Sequence, residues 1–211
     1  MSKLSNEKAV QEAAWVFEEN QSDAGKMAYS IDVTTGVLHD IEFIESPNAE
    51  PRPQDALPEL IVVHGISLPP NQFGGEAITQ LFTNQLDPAE DPYFDKIKGL
   101  RVSAHALIRR DGELIQYVPF QNKAWHAGVS EFAGRSGCND FSIGIELEGT
   151  DETAYTEPQY AVLAQLINAL WCTYPSLQQR HVVGHNEIAP GRKTDPGPYF
   201  QWGRLNRLLK K

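Results

Sequence analysis

The chain has 211 residues, 18 Lys and Arg against 28 Asp and Glu, a formal net charge of -10 and 41% hydrophobic positions. That length suits a single domain with a sizeable core, the apolar content is too high for a disordered chain, and no stretch approaches the ~20 uncharged apolar residues of a membrane-spanning helix. The negative charge sits mainly in residues 1–60, with four basic and 12 acidic side chains, and argues against nucleic-acid or anionic-lipid binding driven by counterion release.

In chain order, Ser5 as N-cap with Val10, Ala13, Ala14 and Phe17 at helical spacing predicts a helix over 5–20. Glu7, Glu12, Glu18 and Glu19 break the apolar run that an export signal needs. Cys138 and Cys172 are too few for a disulfide framework and are expected to be buried, with Cys138 near a cleft and open to oxidation. These features predict a cytoplasmic protein with an N-terminal extension over 1–26 and one domain over 27–211. Thr35-Gly36 predicts a hairpin. Pro47, Pro51, Pro53 and Pro58 argue against ladder structure in the next stretch, so the compact part is expected to begin near Leu60.

From there the predicted elements alternate. Leu60–His64 is a buried strand, Gly75–Leu86 a helix with Ile78, Leu81 and Phe82 on one face, and Ser103–Pro119 a hairpin turning at Asp111-Gly112. Phe141–Leu147 is a strand. A helix from about Tyr160 to Tyr174 follows a capping box of Thr156 and Gln159, with Pro158 in the first turn. A strand over His181–His185, a Pro- and Gly-rich loop over Ala189–Pro198 and a helix over Trp202–Leu209 complete the chain. The fold class is α/β, a single domain with a mixed central sheet flanked by helices. Four basic residues close it, Arg204, Arg207, Lys210 and Lys211, which complement a helix C-terminus.

Two histidines end apolar strands beside glycine, His64 before Gly65 and His185 after Gly184. Each alone reads as an ordinary hydrogen-bonded strand-end residue, but together with Asp195, ten residues after His185 and bracketed by Pro and Gly, they make a two-histidine, one-carboxylate set for zinc with a fourth position open to water. Glu146 and Glu148 share one side of an apolar strand, and one is expected to be buried. A carboxylate in a partly apolar cleft beside a metal suits a general base, whereas a strand-end glutamate is also a common salt-bridge partner. Lys193 could steady a developing oxyanion or simply be solvated. No Gly-x-Ser-x-Gly elbow or convincing Cys/His pair offers covalent chemistry.

Five ordered blocks, residues 62–70, 101–105, 124–128, 144–149 and 192–198, resemble the zinc-dependent N-acetylmuramoyl-L-alanine amidases of the AmpD type, within the wider amidase and peptidoglycan-recognition superfamily. The resemblance implies zinc on His64, His185 and Asp195, catalytic roles for Glu146 and Lys193, and substrate binding by Arg101, Trp125 and His126. It implies hydrolysis of the amide joining N-acetylmuramic acid, in its 1,6-anhydro form, to L-alanine of a stem peptide during cytoplasmic peptidoglycan recycling. The muropeptide is the expected partner, with neither nucleic acid nor membrane. A wall-lytic amidase acting on polymeric peptidoglycan and a non-catalytic peptidoglycan binder share the fold; a binder typically lacks one of the metal ligands. Two positions depart from the family pattern: Gly65 stands where relatives carry Asn, and Gly137 where many carry a basic residue. His39, His105 and His181 are expected to be structural.

Overall fold

The computed structural model describes residues 28–54, 56–179 and 181–209. The helix expected over 5–20 lies outside these residues. Strands β1 (Glu42–Phe43), β3 (Leu60–Ile66), β4 (Ala106–Ile108), β5 (Leu114–Gln116), β9 (Ser142–Glu148) and β10 (Val182–Gly184) form one six-stranded sheet in the order β1-β5-β4-β9-β3-β10. Its centre is parallel, β4 and β10 flanking the β9–β3 pair, whereas β4 and β5 are the antiparallel hairpin predicted at Asp111-Gly112. Gly112 there has φ +95°, a conformation that a Cβ disfavours. This is the mixed sheet flanked by helices that the sequence predicts.

The central strands are buried on both faces, which is why they read as almost unbroken apolar runs. Alternation still sorts them. Ile61, Val63, Ile143, Ile145 and Leu147 face helix α3 (Glu157–Thr173) and pack on its Leu163, Ile167 and Leu170. The opposite face of β9 carries Ser142, Gly144, Glu146 and Glu148, so one strand supplies both a core wall and a polar row. Helix α1 (Ala77–Phe82) buries Ile78, Leu81 and Phe82 on the far side, against Leu107, Ile115 and Tyr117. A short helix α2 (Pro92–Lys96), not predicted, starts at Asp91, whose carboxylate accepts from Tyr93 N–H at 2.7 Å, and Pro92 fits its first turn.

Two expectations are corrected. The compact part begins well before Leu60: Ile31 and Leu38 form a bridge and join the main core, and Asn48 is fully buried. The proline-rich stretch does hold a ladder, β2 (Ala49–Pro51) against β6 (Asn122–Ala124), because a two-stranded ribbon has only edge strands and proline is tolerated there. Strands β7 (Glu131–Phe132) and β8 (Arg135–Ser136) form a further small hairpin. Short helices α4 (His185–Ile188) and α5 (Trp202–Leu208) complete the fold. Among the described residues no helix is long and apolar enough to cross a membrane.

Both halves of the capping box on α3 are present, and the Thr156 hydroxyl also donates to the Arg110 carbonyl at 2.6 Å. Thr156→Ala is therefore expected to destabilise the fold by about 1–2 kcal/mol, whereas Thr156→Ser keeps most of that stability. Urea denaturation checks both, and equal midpoints for Ala and wild type would contradict the assignment.

Candidate active site and metal centre

Parallel strands collect ligand-binding side chains at their carboxyl edge, and here β3, β9 and β10 bring three chain segments to one place. His64 lies in the last third of β3, paired in register with Glu146 of β9. The strand continues through Gly65 and Ile66, so His64 is not its terminus as expected. His185 likewise does not end β10 but opens α4, because Gly184 begins the helix and the Glu187 carboxylate accepts from Gly184 N–H at 2.8 Å. Asp195 sits on a fastened loop. Asn186 N–H donates to its carbonyl and the Tyr155 hydroxyl donates to the Pro196 carbonyl, each at 3.0 Å.

Three donor atoms converge. His64 Nδ1 and His185 Nδ1 are 3.0 Å apart, and Asp195 Oδ2 is 3.0 Å from His185 Nδ1 and 3.3 Å from His64 Nδ1. His185 donates its single ring proton, on Nε2, to the Ala127 carbonyl at 3.2 Å, which leaves Nδ1 as a lone pair. Ligands about 2.0–2.1 Å from a tetrahedral ion lie roughly 3.3 Å from one another, so the spacing fits a divalent cation held by two imidazoles and one carboxylate. Among the described residues these three are the group that could hold a metal ion. Burial lowers the His64 imidazole to about 4, only partly offset by the adjacent Asp195 carboxylate. Burial alone would raise the Asp195 carboxyl, but its close contacts with the His185 and His64 rings outweigh it and hold it below the usual carboxylate range.

Glu146 shares this cleft, a cavity of about 440 Å³ that also reaches Lys193, Gly65 and Thr194. Its Oε2 is buried without a hydrogen-bond partner. Burial, reinforced by the Asp195 charge and opposed by the Lys193 ammonium, pushes the Glu146 carboxyl well above its ordinary value. An unpartnered carboxylate of raised pKa beside such a donor cluster is suited to taking a proton from water. Glu148 is the buried member of the pair, and its carboxylate is engaged by the Gly74 and Arg110 backbone N–H groups.

The N-acetylmuramoyl-L-alanine amidase family matches residues 53–198. The chain belongs to this family. It is 57% identical over 174 residues to the 1,6-anhydro-N-acetylmuramyl-L-alanine amidase AmpD of Citrobacter freundii, an overlap of 82% of this chain and 92% of that relative. A crystal structure of a selenomethionine AmpD derivative, 56% identical, superposes with a TM-score of 0.82 over 85% of this chain and 99% of its own. The Escherichia coli amidase AmiD, solved with the substrate anhydro-N-acetylmuramic acid-L-Ala-D-γ-Glu-L-Lys, is 28% identical with a TM-score of 0.53, covering 74% of this chain and 60% of that one.

Within the amidase framework the other expected substrate residues fall in different places. Arg101 is exposed and lines a neighbouring cavity of about 160 Å³ with Lys98 and Leu100. Trp125 is half-buried outside the cleft wall, its backbone N–H held by Ser103 Oγ at 3.0 Å. His126 does reach the inner wall, but its ring nitrogens meet His64 and Ser142. The two glycines expected to depart from the family pattern each meet a local constraint. A Cβ on Gly65 would collide with the Tyr155 hydroxyl, and Gly137 has φ +75°, where a side chain is strained. Ser142, Asn139 and Tyr155 escaped the sequence reading, although Gly144 inside an apolar strand signals a close approach at that point. The expectation of two buried cysteines is half right. Cys172 is exposed on α3, while Cys138 is fully buried, and burial raises its thiol, which disfavours the oxidation-prone thiolate.

Buried imidazoles couple this region to pH. Burial lowers His105 to about 3, reinforced by the Arg52 charge, and drives His126 well below its ordinary value. With His64 they remain neutral in the fold but take protons once unfolded, near pH 6.5. Below that pH the unfolded chain binds more protons than the native one, so stability is complete above about 6.5 and falls as pH drops toward the depressed native values. Urea denaturation of chelator-treated protein is expected to give midpoints that decline steadily from pH ~7 to pH ~4.5; a flat profile would contradict neutral burial.

Proposed function

We propose that this amidase uses zinc to hydrolyse the amide between 1,6-anhydro-N-acetylmuramic acid and the L-alanine of a stem peptide, in the recycling of cytoplasmic peptidoglycan fragments. The observation that carries the reading is the meeting of His64, His185 and Asp195 donors beside the unpartnered Glu146 carboxylate in one cleft. Support comes from the match to the Citrobacter relative along 92% of that relative's length. Zinc bound by these three residues would polarise the scissile carbonyl and acidify a water molecule. Glu146 then removes the water proton as the oxygen attacks the carbonyl carbon. Lys193, on the rim, offers its ammonium to the tetrahedral oxyanion. Glu146 returns the proton to the alanine nitrogen as the C–N bond breaks, so the water oxygen ends in the lactyl carboxyl group and its transferred proton on the released amine, without a covalent intermediate.

The catalytic domain spans 27–211 and the extension 1–26. Two unpaired cysteines and a net charge of -10, which repels anionic wall polymers, support a cytoplasmic enzyme acting on small fragments without nucleic-acid or membrane partners.

Two measurements check the assignment. Glu146→Gln and Lys193→Met are each expected to retain fold and zinc while kcat falls by about two orders of magnitude or more, the usual range for general-base and oxyanion groups; loss of zinc from either would move that residue into the metal shell. Stem-peptide release should be at least ~100-fold faster from anhydro-muropeptides than from intact sacculi, a ratio worth about 2.7 kcal/mol of differential transition-state binding. Comparable rates would make this a wall-lytic amidase, and no release from either would leave a binding protein.

A further inference from the structure

The side of His64 that faces away from the donor cluster meets a second imidazole. His64 Nε2 lies 2.8 Å from His126 Nδ1, His126 Nε2 lies 3.0 Å from Ser142 Oγ, and the Ser142 hydroxyl donates to the Cys138 carbonyl at 2.6 Å. This series has only one direction. A backbone carbonyl has no proton to give, so Ser142 directs its single proton there and its oxygen accepts from His126 Nε2–H. A neutral imidazole carries one N–H, so His126 Nδ1 is a lone pair and accepts from His64 Nε2–H. His64 Nδ1 is then the unprotonated nitrogen, and it is the one that faces Asp195 Oδ2 and His185 Nδ1.

We infer that His126 is a positioning residue of the metal centre, fixing His64 in the tautomer and ring orientation that present Nδ1 to the ion, with Ser142 and the Cys138 carbonyl setting the direction of the series. The inference rests on the reading of His64, His185 and Asp195 as the metal site. The surroundings of His126 are built for the task. A Cβ on Gly144 would collide with the His126 ring, so the bare backbone of β9 is the seat on which the imidazole rests. Asn139 Oδ1 accepts from the backbone N–H groups of both His126 and Ala127, at 3.1 and 2.8 Å. The half-buried Arg52 guanidinium donates to the Asn139, Asp140 and Ser142 carbonyls and so fixes the segment that carries Asn139 and Ser142. Ala127 in turn accepts the Nε2 proton of His185 on its carbonyl. Two consecutive residues thus orient both metal-facing imidazoles, one through its side chain and the other through its backbone. Partners of this kind commonly govern metal affinity by one to two orders of magnitude.

The test is zinc affinity of the full-length protein, measured by competition with a chromophoric chelator, for wild type, His126→Leu, His126→Asn and Ser142→Ala. Asn Oδ1 takes the place of the imidazole acceptor. The expected result is a 10- to 100-fold weaker zinc complex for His126→Leu, a complex within about threefold of wild type for His126→Asn, and an intermediate loss for Ser142→Ala. Nitrogen-15 spectra of histidine-labelled, zinc-loaded wild type should show His126 protonated on Nε2. A folded His126→Leu that binds zinc as tightly as wild type, or a His126 protonated on Nδ1, would overturn the inference. Should His126→Leu fail to fold, the wild-type tautomer and Ser142→Ala decide by the same criteria. Wild type that binds no zinc would instead overturn the reading of the metal site itself.

Discussion

Two imidazole lone pairs and a carboxylate oxygen are held within 3.3 Å of one another in a largely buried cleft, and the rest of the structure is arranged to keep them there. Such a cluster of electron-rich atoms is unfavourable by itself, since buried lone pairs and charge are costly unless a proton or a cation lies between them. Protons can satisfy only part of it. Burial keeps His64 neutral, and the His185 Nε2 proton is directed away to a carbonyl. A divalent cation satisfies all three donors at once, so the most economical reading of the geometry is a metal centre.

The sheet explains how the cluster is assembled from distant parts of the chain. Parallel registration of β3 with β9 puts His64 beside Glu146, and β10 delivers His185 from the other side of β3. The two-residue period of β9 divides its duties: Ile143, Ile145 and Leu147 anchor the strand on α3, while Ser142, Gly144 and Glu146 supply in turn a hydrogen-bond relay, a seat for His126 and the carboxylate proposed as base. A rigid, doubly covered strand holds catalytic side chains to tighter tolerances than a loop could. The exception is Asp195, which sits on a loop, and that loop is fastened by Tyr155 and Asn186.

Much of this was legible in the sequence because local rules carried it. Apolar runs marked β3 and β9, Asp111-Gly112 marked the hairpin, and Thr156 with Gln159 marked the start of α3. The three donors that converge in the cleft, His64, His185 and Asp195, were readable from type and flanking glycine or proline. What the sequence hid depends on tertiary pairing. His185 could not be assigned to a helix start without the Glu187 cap, and the burial of Ile31 and Leu38 required contacts with segments far along the chain. The motif around His126 gives no indication that Gly144 opens a seat for its ring beside His64. Arg101 lines a neighbouring cavity and not the cleft, a placement that no local motif signals.

The central claim is the composition of the metal centre, and zinc K-edge X-ray absorption of the loaded protein tests it most directly. The account predicts a four-coordinate site with two imidazole nitrogens and carboxylate oxygen at about 2.0–2.2 Å, the remaining position filled by a light atom, and the carboxylate contribution lost in Asp195→Ala. A sulfur neighbour at about 2.3 Å, or a spectrum unchanged by removing Asp195, would contradict it.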